Sequence, residues 1–433
     1  MDLLIKNVTA VTMDETRPLV EHACIGIHEG RIVSITEQPP AEAAERVIDG
    51  GGKLCMPGLI NAHAHVSMTL MRGFADDYEL HAWLFDHVFP LEQKLTAHDV
   101  YLGAKLGMAE MLATGTVSLT DMYMFIPEVA RAADELGLYA NISNGATCFD
   151  AESYEFSTDP VTAQMEEMRR DWHGRDGGRI RLDVSVHGEY TSFPKLWRAN
   201  ADYAKEYGLN MHVHLSETRK EHEECLARWG KTPARMFYDN GVFDTRTTAA
   251  HCVWVSEEDM DLLAEKRVTA VNNPVSNLKL ASGVAPVARL LEKNVPVALG
   301  TDGVCSNNNH DLFEEIKLCA LLQKNERHDP TVLPAPAALR LATVGGAFAQ
   351  NREQELGMLR EGFDASLILV DTARPGLTPI HDPYSALCYS ARGGDVCLTM
   401  VRGRVLYENG AFTQLDFERL RAEAAPALAR LFG

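Results

Sequence analysis

From Gly58 to about Gly346, short β-like runs alternate with helix-like stretches, and nothing else in the chain restricts its fold as tightly. The runs fall at 59–65, 117–122, 138–143, 180–187, 209–215, 247–253, 268–273 and 295–300. Between them lie amphipathic stretches such as 99–114, 127–136, 195–207, 257–265 and 285–293. Alternation of this kind predicts an α/β fold with a parallel sheet, and eight βα units favour a closed (β/α)8 barrel over an open doubly wound sheet.

Both flanks are β-rich. Residues 2–12 carry Leu3, Leu4, Ile5, Val8 and Val11, and the runs 24–28 and 31–35 read as a hairpin around Glu29-Gly30. Beyond Ala347, a strand-like run covers 367–371, a second hairpin (396–401 and 404–407) turns at Arg402-Gly403, and 415–431 is helix-like. Neither flank is large enough to stand alone. The economical expectation is one composite β-sandwich domain of residues 1–56 and 362–433, including the terminal helix, beside a barrel domain of residues 57–361. Residues 39–44, starting Pro-Pro, read as a surface loop.

Composition narrows the partners. The 433 residues include 41 Lys plus Arg against 61 Asp plus Glu, a net charge of −20. Such a surface repels phosphate backbones, so a nucleic-acid ligand is not expected. No apolar run approaches the roughly 20 residues that span a bilayer, and Met1-Asp2-Leu3-Leu4-Ile5-Lys6 does not read as a signal peptide. The nine cysteines are scattered and include no CxxC pair, which predicts reduced thiols and a cytoplasmic location.

Chemistry gathers at the ends of the expected strands. His63 and His65 lie two apart in Asn61-Ala62-His63-Ala64-His65, so their side chains share a face. His212 and His214 share a face in the same way; His214 is nearer the strand's C-terminal end, and His212 is read as a hydrogen-bonded core residue. Glu217 falls just beyond, where a general acid/base belongs. His251 ends the sixth run, and Asp302 follows the apolar eighth run, where an unpaired carboxylate is costly. Singly, each has a structural reading: paired core histidines, a solvent-facing Glu217, an Asp302 capping the turn at Gly303. Jointly, all fall on the face where barrel enzymes hold their chemistry. Three imidazoles and a carboxylate suit one divalent metal, Zn2+ before Fe2+ or Mn2+. The fourth run has no lysine, which disfavours a two-metal site bridged by a modified lysine.

The order HxH, His, His, Asp resembles the amidohydrolase superfamily, and within it the chain is similar to the 5′-methylthioadenosine/S-adenosylhomocysteine deaminases. The matching stretches include Pro57-Gly58-Leu59-Ile60-Asn61-Ala62-His63-Ala64-His65, Met68-Thr69-Leu70-Met71-Arg72-Gly73-Phe74-Ala75-Asp76-Asp77, Trp83-Leu84 and Pro90-Leu91-Glu92. Asn273-Pro274-Val275-Ser276-Asn277-Leu278-Lys279 and Gly300-Thr301-Asp302-Gly303 match as well. The resemblance implies a metal held by His63, His65, His214 and Asp302. It implies Glu217 as proton shuttle, with Asp302 and His251 also catalytic. Glu92 would bind ribose hydroxyls, and His187 and Trp83 would contact substrate. The implied reaction is hydrolytic deamination of an adenosine-type nucleoside, and a homo-oligomer is expected.

Two departures bear on specificity. Gly188-Glu189 replaces the family's usual small residue and Pro, so Glu189 adds negative charge if it faces the pocket. The loop 144–150 has no arginine for an amino-acid carboxylate, which weighs against S-adenosylhomocysteine relative to methylthioadenosine or a shorter 5′-deoxy nucleoside. Arg72 and Lys279 are possible anion contacts, Arg72 more readily a structural ion-pair partner. Trp83, Phe85 and Phe89 do not form one helical stripe, so some wall the pocket and others are core. No catalytic role is expected for His81, His87, His98, His173, His222, His310, His328 or His381. The competing readings are a deaminase or amide hydrolase of another cyclic nitrogen substrate (guanine, cytosine or a triazine) and a catalytically dead binding protein on the same barrel.

Overall fold

The computed structural model describes residues 1–40 and 43–433; positions 41 and 42 of the loop expected at 39–44 lie outside the described residues. The barrel strands are Leu59–Ala64, Thr116–Tyr123, Tyr139–Asn144, the split pair Ile180–Leu182 and Val184–Val186, Met211–Leu215, Thr247–His251, Thr269–Asn272 and Val297–Leu299. All pair in parallel with their neighbours in chain order. The fourth strand breaks at Asp183, whose buried carboxylate accepts from Asn141 Nδ2 at 3.0 Å while its N–H reaches Ile142 O at 2.9 Å. A parallel bridge between Ala64 and Asp302 returns the last strand to the first. The eight expected strands are therefore present, in a parallel α/β ring. Nearly every strand position is buried, which is why these segments read as apolar runs rather than alternating ones.

The helices start where local chemistry starts them. Thr96 caps Ala97–Ala113 and Ser256 caps Glu257–Lys266, each in a reciprocal capping box with the aspartate three residues on. Ile126–Leu136 and Pro194–Tyr207 carry a proline in their first turn, where its missing N–H costs nothing. The helix expected at 285–293 is cut to Val287–Glu292, with Pro286 at its N-cap.

The flanking segments build one nine-stranded sheet that joins the two ends of the chain: Leu54–Pro57 pairs antiparallel with Leu367–Val370 and parallel with Leu3–Val11. Leu19–His28 with Arg31–Thr36, and Val396–Val401 with Arg404–Glu408, form the two expected hairpins. Their turn residues have φ of 48° and 76° at Glu29-Gly30 and 48° and 73° at Arg402-Gly403, the left-handed pair that two-residue hairpins require. The two turns abut: a Cβ on Gly30 would lie 2.8 Å from the carbonyl oxygen of Arg402. The sheet encloses an apolar core of its own, including Ile5, Ile25, Ile27, Leu367 and Met400. The final helix, Phe417–Phe432, returns to Ala97–Ala113, where Arg430 Nη1 donates to Lys94 O at 2.9 Å.

Among the described residues, no helix is long and apolar enough to cross a membrane.

Candidate active site

The ring brings His63, His65, His214, His251 and Asp302 together at the C-terminal ends of four strands. In the first strand, Asn61 locks the neighbouring chain: its Nδ2 donates to Thr301 Oγ1 at 2.7 Å, and its Oδ1 accepts from Thr301 N–H at 3.1 Å. The backbone N–H of Asp302 donates to His63 O at 3.0 Å. Approach this close demands glycine at position 300, where a Cβ would stand 2.7 Å from His63 O. His251 and Asp302 adopt φ of 74° and 62°, and Ser216, just before Glu217, 47°. Left-handed backbone at three non-glycine positions around one site is stored strain, held by the surrounding pairings.

Each imidazole is held by its Nδ1. His65 Nδ1 donates to Met122 O at 2.5 Å, His214 Nδ1 to His187 O at 2.6 Å, and His251 Nδ1 to Asn277 Oδ1 at 2.8 Å. His63 Nδ1 lies 2.9 Å from Nε2 of His212, whose own Nδ1 is 3.4 Å from Ser143 Oγ. With every Nδ1 engaged outward, the Nε2 atoms of His63, His65, His214 and His251 are left facing one centre. His65 Nε2 and His214 Nε2 are 3.2 Å apart, and Asp302 Oδ1 lies 3.3 Å from His63 Nε2 and 3.2 Å from His65 Nε2. Asp302 Oδ2 is turned away, accepting from Ser276 Oγ at 2.6 Å and Ser306 Oγ at 3.0 Å.

This donor set fits a divalent cation. Among the described residues His63 Nε2 is fully buried and makes no hydrogen bond, with Asp302 Oδ1 3.3 Å away, an arrangement a metal satisfies and an apolar core does not. Donor atoms of His63, His214, His251 and Asp302 all lie within 4.8 Å of one another. That mutual set holds His251 in place of the expected His65, although His65 is in contact with both His214 and Asp302. Burial pulls His63 down to about 4 and His214 well below the usual histidine range, so both rings are neutral and able to ligate. Burial acts on His65 in the same sense, but Asp302 outweighs it and lifts that ring to about 9. Burial likewise favours a neutral Asp302, and His63 and His65 reverse this, holding its carboxyl well below the usual range.

Above the cluster opens a pocket of about 480 Å3, within the roughly 300–1,000 Å3 of small-molecule sites. Glu217, Glu92, His187 and Trp83 all line it. Glu217 Oε2 is 3.6 Å from His251 Nε2, and Ser282 Oγ donates to Glu217 Oε1 at 3.4 Å. Burial raises the Glu217 carboxyl and pushes Glu92 up to about 7. Burial also takes His187 down to about 3; its Nδ1 is 3.0 Å from Thr191 Oγ1.

Other expected positions resolve as follows. Glu189 does not line the pocket: it is buried, accepting from Trp229 Nε1 at 2.8 Å and paired with Arg228 at 2.5 Å. Trp83 and Phe89 line the pocket, whereas Phe85 stacks on His81. Trp83 and Phe85 lie in the π-helix Trp83–Val88 and Phe89 follows it, and its wider turn defeats a 3.6-residue count. Arg72 pairs with Glu110 and Lys279 with Asp76, each at 2.5 Å. His310 is buried, its Nδ1 3.0 Å from Thr301 Oγ1. The sequence reading passed over Asp121, which accepts from Val66 N–H at 2.6 Å and is pushed by burial up to about 7. Its signal is a lone carboxylate within an otherwise uncharged strand, near the C-terminal end of Thr116–Tyr123.

Comparison with known proteins agrees with this geometry. Residues 54–406 match the model of the amidohydrolase family. A 5-methylthioadenosine/S-adenosylhomocysteine deaminase of Thermoanaerobacter pseudethanolicus is 41% identical over 420 residues, 97% of each chain. A 5′-deoxyadenosine deaminase of Methanosarcina acetivorans is 42% identical over 434 residues, covering 99% of this chain and 98% of its own. The crystal structure of an adenosine deaminase from Xanthomonas campestris with bound zinc superposes with a TM-score of 0.94 at 31% identity, over 99% of this chain and 98% of that one. The chain belongs to the amidohydrolase family.

Proposed function

We propose that the chain is a metal-dependent hydrolytic deaminase of adenosine-type nucleosides, replacing the 6-amino group by a 6-oxo group and releasing ammonia. The observation that carries the reading is the convergence of four imidazole Nε2 atoms and Asp302 on the floor of a nucleoside-sized pocket, with Glu217 directly above. His63, His65, His214 and Asp302 would hold one divalent ion, Zn2+ before Fe2+ or Mn2+. Bound there, the ion supplies Lewis acidity that lowers the pKa of water from 15.7 to about 7.

The chain's own groups do the rest. Asp302 Oδ1 takes the proton of the attacking water as its oxygen bonds to C6. Glu217, whose carboxyl burial raises, gives a proton to ring nitrogen N1, so the ring's electron pair is received there. His251 Nε2 holds the attacking oxygen against the tetrahedral carbon. The proton on Asp302 passes to the amino nitrogen, the C6–N bond breaks and ammonia leaves; the remaining hydroxyl proton returns to Glu217 as the 6-oxo group forms. Glu92 holds the ribose hydroxyls, while Trp83 and His187 wall the pocket.

The domain division at 56/57 and 361/362 is likewise our reading, supported by the separate core of the flanking sheet. A homo-oligomer is proposed on the resemblance, and light scattering on the full chain reads it. The function is tested by ammonia release from adenosine, 5′-deoxyadenosine, methylthioadenosine, S-adenosylhomocysteine, guanine and cytosine, with metal content measured in parallel. Turnover of the adenosine-type compounds in proportion to bound metal is expected. Faster turnover of a free base overturns the reading.

A further inference from the structure

The pocket has an uneven charge inventory. Among the residues that line it there is no arginine and no lysine, whereas Glu92, Glu217 and Asp302 all face it. The loop after the third barrel strand contributes Gly145, Thr147 and Phe149, none of them charged, and Phe149 is 66% exposed. The remaining wall is largely apolar, with Leu80, Leu84, Phe89 and Met124 among it.

A smaller recess continues from the pocket, sharing Leu80, Leu84 and Tyr190 with it. It adds Glu79, Glu221 and Glu224 beside His81 and Lys220. The cations around this region are already engaged. Lys220 Nζ lies 2.5 Å from Glu224 Oε1, Lys279, next to the lining residue Leu280, lies 2.5 Å from Asp76, and Arg228 lies 2.5 Å from the buried Glu189. A ligand carboxylate brought to these walls thus gives up its water without gaining an unpaired lysine or arginine as counter-charge. An alkyl or thioether group brought to the same walls loses only apolar contact with water.

We propose that the chain selects, among adenosine-type nucleosides, those whose 5′ substituent is uncharged. This rests on the deaminase reading above and adds to it the chemical class of the 5′ group: hydrogen, alkyl or alkylthio, not an amino-acid or other carboxylate tail. The selection comes from charge rather than length, because the recess extends the space available while its lysine is already paired with Glu224.

The test is a matched pair of substrates on the full-length metal-loaded protein. One is 5′-deoxyadenosine bearing a 3-carboxypropylthio group at C5′, the other its primary amide, with methylthioadenosine as reference. The two tails have the same length and differ in charge. The expected result is an amide kcat/KM within a few-fold of methylthioadenosine and an acid at least roughly tenfold below the amide. Equal values for acid and amide overturn the proposal and leave the deaminase reading intact. An amide as poor as the acid makes length the determinant and also overturns it. Failure to turn over methylthioadenosine, 5′-deoxyadenosine and adenosine alike overturns the deaminase reading itself.

Discussion

Replacing His212 by phenylalanine isolates the device that aims His63. His212 is wholly buried, and its Nε2 lies 2.9 Å from His63 Nδ1. Phenylalanine has a similar volume, so the change removes an acceptor without opening a large cavity. In the variant, turning His63 Nε2 inward leaves a buried N–H unpaired, at a cost of about 1–3 kcal/mol. At 1.4 kcal/mol per tenfold, that weakens metal binding roughly 5- to 150-fold. The range brackets the ~10–100-fold typical for loss of a group supporting a metal-ligating histidine. The assay is competition for Zn2+ against a chromophoric chelator, with turnover measured at saturating metal and circular dichroism confirming the fold. His212→Gln, which returns a carbonyl acceptor, should recover part of the affinity. A normally folded His212→Phe variant that binds Zn2+ within twofold of the parent would refute the argument.

Further outcomes follow from the same geometry. Burial keeps Glu92 protonated to about pH 7 against an ordinary 4.5, so the folded chain holds a proton that the unfolded chain sheds between those values. Stability should therefore fall as pH rises across that window, by at most about 3 kcal/mol. Glu92→Gln should flatten this dependence in urea unfolding while lowering nucleoside kcat/KM and sparing any free-base turnover. Glu217→Gln should lower kcat by about 10²–10⁴ with metal content unchanged, checked by single-turnover kinetics beside elemental analysis. Chelation should abolish ammonia release and lower the melting temperature, and Zn2+ at about 1,000 times its Kd should restore about 4 kcal/mol.

The barrel was legible because its strands are buried on both faces, so a stretch such as Val297–Leu299 with its flanks reads as an apolar run bounded by turns. The histidines were legible because the two-residue repeat of a strand puts 63 with 65 and 212 with 214 on common faces. His212 is buried and partnered as a core histidine should be, and what it touches is His63. That pairing depends on two strands 149 residues apart facing each other across the ring, information that no local spacing carries. The same holds for Ser276 and Ser306 on Asp302, for Asn277 on His251 and for Asp121 beneath Val66.

Glu189 shows the limit from the other side. Its position between His187 and Tyr190, which both line the pocket, argues for the pocket, yet the 3-10 turn Glu189–Thr191 directs its carboxylate toward Arg228 and Trp229. Local spacing thus told which groups share a strand face, and only the assembled ring of strands decided which of them meet. The residues that meet the cluster from outside, His212, Asn277, Ser276 and Ser306, spend their hydrogen bonds on orientation. Among the described residues His63 Nε2 is thereby left buried without a hydrogen bond, although Asp302 Oδ1 lies 3.3 Å away, a cost that an apolar or catalytically idle core has no reason to carry.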